Sequence, residues 1–119
     1  FKGGNVGVVG LEAKIWYSED NSTGWIDTLS GVTNGSQWYA RLNITSGSYR
    51  GPVNVTWTLH HSGNNSQVSG SPTVTTENFD ITGSGNIIYA STSGTSGNTN
   101  WGDYTKKPGN YYVKAVIED

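Results

Sequence analysis

Apolar residues recur at every second position along most of this chain, a period that belongs to strands and excludes amphipathic helices as its main elements. Val53, Val55, Trp57 and Leu59 point one way, while Asn54, Thr56, Thr58 and His60 point the other. Trp38, Ala40, Leu42 and Ile44 alternate in the same manner with Tyr39, Arg41 and Asn43. Near the C-terminus Tyr111, Val113, Ala115 and Ile117 face inward, with Tyr112, Lys114 and Glu118 outward. Leu11, Ala13 and Ile15 alternate with Glu12, Lys14 and Trp16. One apolar and one polar face per strand marks an antiparallel sheet, because parallel strands are covered on both faces.

Weaker strands are expected over 73–82 and 86–91, with a short one over 25–29. Turn signals separate them, among them Asn34-Gly35, Gly51-Pro52, Ser71-Pro72 and Pro108-Gly109. Together these features predict an all-β fold: a single antiparallel β-sandwich over residues 1–119, with about seven strands. Trp57 is expected between the sheets with Val55, Leu42, Val113 and Ala115. The stretch Ser91–Asn100, STSGTSGNTN, is low in complexity and is expected to be a flexible loop.

The segment Pro108-Gly109-Asn110-Tyr111-Tyr112-Val113-Lys114-Ala115 resembles the P-G-x-Y-x-V pattern of late strands in bacterial and archaeal immunoglobulin-like modules of the PKD and CARDB kind. The strand Val53–Leu59, with Trp57 at its centre, looks like the third strand of such a sandwich. The resemblance covers about a third of the chain. It implies an immunoglobulin-like fold with Tyr111 packed at the sandwich corner, and no particular activity. Antibody-type domains differ in having the paired cysteines that this chain lacks.

Seven Lys and Arg against nine Asp and Glu leave a net charge of −2, and the basic residues are scattered. That pattern argues against nucleic acid or anionic lipid as a partner. No apolar run reaches the roughly 18 residues a membrane span requires, so no membrane insertion of this segment is expected. Methionine is absent, which leads to the expectation of a processed or excised chain. A composition with only 13% charged residues suggests an exported or cell-surface protein. Five N-x-[ST] sequons, at Asn21, Asn34, Asn43, Asn54 and Asn64, are little more than composition alone would produce.

Catalytic patterns are missing. His60 and His61 are adjacent and therefore on opposite faces of a strand, and no metalloprotease or hydrolase motif accompanies them. Glu19, Asp20 and Asn21 with Asp27 offer oxygen ligands for calcium but not the spacing of a calcium loop. The expectation is a protein that is not an enzyme, with no cofactor and no metal.

The aromatic residues stand out, with five Trp and seven Tyr among 119 residues. Trp38 and Trp57 lie on apolar series. Trp16 shares a face with Glu12 and Lys14, Trp25 lies in Thr23-Gly24-Trp25, and Trp101 lies in the polar run Asn98–Tyr104. Flat aromatics flanked by amide and carboxylate groups suit sugar rings, whose apolar C–H faces are edged by hydroxyls. The expected site therefore has Trp101 and Tyr104 as stacking platforms, Asn100 and Asp103 as hydroxyl partners, and Trp25 or Trp16 extending the surface. The partner would be a neutral polysaccharide or glycan, bound by a noncatalytic carbohydrate-binding module. The alternative is an immunoglobulin-like structural or adhesive domain that contacts surface-protein subunits, the better reading if Trp101 is a structural lid.

Overall fold

A computed structural model describes residues 5–6, 10–26 and 36–119 of the chain. The alternating segments become β2 (Leu11–Ser18), β3 (Tyr39–Gly47), β4 (Gly51–His61), β5 (Val74–Ile81), β6 (Ile87–Tyr89) and β7 (Tyr111–Glu118), preceded by a two-residue β1 (Asn5–Val6). The expected strand over 25–29 is represented by Ile26 alone, bridged to Tyr17, and residues 27–29 lie outside the described residues.

Two sheets form. One has the order β1-β7-β4-β5 and the other β2-β3-β6. Every pairing is antiparallel except β1 with β7, which runs parallel through Asn5↔Val116 and Val6↔Ile117. The inward residues of both sheets close into one core in which Trp38, Trp57, Leu42, Val55, Val113 and Ala115 are all buried. Trp57 lies opposite Ala115 on β7, and its Nε1 donates to Thr76 Oγ1 at 3.1 Å. Tyr17 packs edge-on against Trp38 with ring centroids 5.6 Å apart, and its hydroxyl accepts from the Val113 N–H at 3.0 Å. Burial pushes the Tyr17 phenol well above its ordinary pKa. At the start of β7 the Tyr111 hydroxyl donates to the Lys107 carbonyl at 2.7 Å.

One sequence expectation needs correcting here. Tyr112 is outward by alternation, yet it is buried, because His60 stacks on its ring at 5.3 Å and its hydroxyl donates to Asn65 Oδ1. The Ser91–Asn100 stretch holds no strand or helix, in keeping with the expected loop, and it is hydrogen-bonded onto the sheet end. The Tyr89 N–H donates to the Gly94 carbonyl at 2.8 Å, and the Thr99 N–H donates to the Ala90 carbonyl at 3.0 Å. Gly94, with φ of 76°, is pressed so closely on the core that an added Cβ would lie 2.8 Å from the Phe79 ring.

Candidate functional site

The polar run Asn98–Tyr104 does not build the expected sugar platform. Residues Trp101–Tyr104 form a single 3₁₀ turn, η1, whose N-cap is Asn100. Asn100 Oδ1 accepts from the Gly102 N–H at 3.0 Å and from the Trp38 N–H at 3.2 Å, so its amide serves the backbone. Trp101 has 0% of its surface exposed and belongs to the core. A polar sequence around a Trp is here the signature of a capped turn that inserts its one apolar side chain. Trp101 and Asn100 are therefore structural, while Asp103 and Tyr104 are exposed on the outer side of the turn.

The other two aromatic candidates meet elsewhere, on the outer face of the β2-β3-β6 sheet. Trp16 on β2 lies opposite Arg41 on β3, and Arg41 lies opposite Tyr89 on β6. Trp25 folds over this row from the segment that follows β2, with the Arg41 Cζ 4.1 Å from its ring centroid. The Trp25 and Tyr89 rings are 6.0 Å apart and tilted by 59°. Lys14 Nζ lies 5.0 Å from the Trp16 ring centroid, and Asn43 stands opposite Lys14 in the next row. All of these side chains are half-buried.

Three polar atoms in this patch are closed off without a hydrogen-bond partner: Trp16 Nε1, Arg41 Nε and Asn43 Oδ1. Buried polar atoms are nearly always paired, so three unmet ones at neighbouring positions of one face are a local exception. Arg41, Asn43 and Tyr89 were not among the site residues expected from sequence. Arg41 and Asn43 are visibly outward in the alternation, but that period does not reveal which strands lie side by side.

Beside this face, at the edge of β2, a cleft of about 410 Å³ is lined by Tyr17, Ser18, Glu19, Asp20, Thr23 and Ile26 among others. Its carboxylate at Asp20 accepts four hydrogen bonds from nearby residues. Oδ1 accepts from Ser18 Oγ and from the Ser22 and Thr23 N–H groups, and Oδ2 accepts from Thr23 Oγ1. Those hydrogen bonds, the backbone ones first, hold the Asp20 carboxyl well below the usual range. An acid braced in this way fixes its own loop. No group of three or more metal-ligating side chains occurs among the described residues, and Asp27 lies outside them.

The histidines are likewise occupied in structure. His60 Nδ1 lies 3.1 Å from the Asn65 carbonyl, and Nε2 lies 2.8 Å from Thr58 Oγ1. His61 packs on Tyr111, with ring centroids 5.3 Å apart. Of the sequons, Asn21, Asn54 and Asn64 are exposed, Asn43 is half-buried in the aromatic patch, and Asn34 lies outside the described residues. No helix among the described residues is long and apolar enough to cross a membrane. Comparison with protein-family models, with curated proteins and with solved structures yields no match to this chain.

Proposed function

We propose that this domain is a noncatalytic glycan-recognition module of an exported or cell-surface protein, built on an immunoglobulin-like sandwich. The observation that carries the reading is the outer face of the β2-β3-β6 sheet, where Trp16, Trp25 and Tyr89 gather around Arg41 on the side that faces away from the core. Aromatic rings there offer flat apolar area to the C–H face of a sugar, and the Arg41 guanidinium and Tyr89 phenol beside them serve its hydroxyls. The immunoglobulin-like part of the reading draws support from the Tyr111 hydroxyl bonded to the Lys107 carbonyl, a contact of the tyrosine-corner kind.

The direct test is retention on a panel of insoluble polysaccharides. Wild-type protein should be held by at least one of them, and Trp25→Ala and Trp16→Ala should each release it while leaving the melting temperature within a few degrees. Lack of retention on every member of the panel would overturn the reading.

The same residue types favour a second reading. Trp, Tyr and Arg dominate the energetic centres of protein interfaces, so this face also suits a surface-protein subunit. Burial of Trp101 removes the loop platform and brings that adhesive alternative closer. A defined multimer in solution without any glycan, dispersed by Trp25→Ala, would support it.

A further inference from the structure

Arg41 is the most unusual side chain on the outer face. Its guanidinium is held by the Trp25 ring at 4.1 Å and the Tyr89 ring at 5.8 Å, and Nη1 donates to Tyr89 Oη at 3.3 Å. That is one of its five N–H donors. Its Nε has no partner, and no carboxylate pairs with the group among the described residues. A half-buried cation is costly when it has neither a counter-ion nor a full set of hydrogen bonds. Aromatic faces offset part of that cost and fix the plane of the guanidinium, which keeps its fork prearranged for an oxyanion that offers two oxygens. The cationic end of Lys14 lies over the neighbouring Trp16 and adds positive potential to the same face.

From this geometry we infer that the ligand is an acidic glycan, one whose sugar rings carry a carboxylate or a sulfate ester. The anionic group lies against the Arg41 guanidinium, and the sugar rings rest on Trp25 and Trp16. The inference rests on the glycan reading above and departs from the neutral sugar expected from composition. A chain with only seven basic residues and a net charge of −2 repels polyanions as a whole, so acidic glycans must be captured locally. A guanidinium with no counter-ion among the described residues, held in place by the aromatic rings, supplies that local attraction through charge-assisted hydrogen bonds from its Nη groups.

The experiment is affinity electrophoresis of the whole 119-residue chain through gels containing neutral dextran, alginate or dextran sulfate. Retardation is expected in one or both acidic gels and not in dextran. The alginate and dextran sulfate arms tell carboxylate from sulfate. Raising salt from about 20 to about 500 mM should weaken binding by about tenfold or more. Arg41→Gln should abolish it. Arg41→Lys, which keeps the charge but loses the planar fork, should weaken binding by several-fold and keeps the test valid if the glutamine variant fails to fold. The double variant Lys106→Gln/Lys107→Gln removes two exposed charges outside the patch and should bind as wild type.

Binding to the acidic gels that survives in Arg41→Lys and Arg41→Gln, or that disappears in the Lys106/Lys107 variant, would overturn the inference in favour of diffuse charge attraction. Salt-insensitive retention by a neutral polysaccharide would overturn the inference and leave the glycan reading standing. Absence of binding to acidic and neutral glycans alike would overturn both.

Discussion

The Trp101 backbone N–H donates to the Trp38 carbonyl at 2.9 Å, and the indoles of both residues are buried in the same core. Trp38 Nε1 in turn donates to Thr105 Oγ1 at 3.0 Å, whose hydroxyl donates to the Trp101 carbonyl at 3.3 Å. The η1 turn is thus riveted to the start of β3 at both of its ends. Trp101→Ala should cost about 3–5 kcal/mol in urea unfolding, the usual range for emptying a buried aromatic site. Trp101→Phe should cost much less, because Trp101 Nε1 is buried without a partner and its removal relieves an unmet donor. Equal losses for the two variants would contradict this assignment.

Strand positions were legible because the core side chains occupy alternate residues with little interruption. Val53, Val55, Trp57 and Leu59 are all inward, as the period requires. Trp101 was not legible, since a 3₁₀ turn leaves no period, and Asn100 looks the same in sequence whether it caps a turn or binds a sugar. Tyr112 departed from the pattern for a different reason. An outward aromatic becomes buried when a cross-strand neighbour such as His60 covers it, and that depends on register. The β1–β7 pair was invisible, because two residues carry no alternation. The outer-face patch joins residues as distant in sequence as Trp16 and Tyr89, and only the pairing of three strands brings them side by side.

Thr76 links three elements. It accepts from Trp57 Nε1 at 3.1 Å and donates to the Ser91 carbonyl, and it is fully buried. Thr76→Val preserves shape but strands both the indole N–H and the carbonyl, so it should cost about 1–3 kcal/mol. Thr76→Ser keeps the hydroxyl and should recover most of the hydrogen-bond part of that loss. Thermal unfolding of the two variants provides the comparison.

Asp20 predicts a feature of the acid limb. Its carboxyl is held below the ordinary value by the Thr23 and Ser22 N–H groups and the neighbouring hydroxyls, so the folded state binds this proton less readily than the unfolded chain. The contribution is present above the unfolded value of about 4 and fades as pH falls towards the folded value. Asp20→Asn should therefore flatten the stability profile below about pH 4 and lower stability near neutrality. An NMR titration of the Asp20 carboxyl should show a midpoint clearly below that of an unstructured aspartate. A midpoint at the ordinary value would contradict the hydrogen-bond set around it.

The Tyr111 corner predicts a modest, local effect. Tyr111→Phe removes the 2.7 Å hydrogen bond to the Lys107 carbonyl while leaving the ring in place against His61. The loss should be about 0.5–1.5 kcal/mol, the net value of one hydrogen bond with an accessible partner. Amide exchange should accelerate in the Lys107–Asn110 turn before it does in β7.

Gly102 tests the seating of the η1 turn from its other side. A Cβ at this position would lie 1.9 Å from the Ser36 carbonyl oxygen and 2.8 Å from its carbon, and both are backbone atoms that no side-chain rotation can clear. Gly102→Ala must therefore lift the turn away from the chain entering β3, loosening Trp101 in its pocket and stretching the Trp101–Trp38 hydrogen bond. Overpacking of this kind typically costs about 1–3 kcal/mol, and a backbone clash belongs at or above the upper end. Gly63 is the control, since nothing lies within 4 Å of its added Cβ and its φ is not in the left-handed region. Gly63→Ala should leave the urea midpoint nearly unchanged, whereas Gly102→Ala should lower it sharply and make the Trp101 indole accessible to acrylamide quenching. A Gly102→Ala protein as stable as wild type would mean that the turn does not press on Ser36, and the buried placement of Trp101 would fall with it.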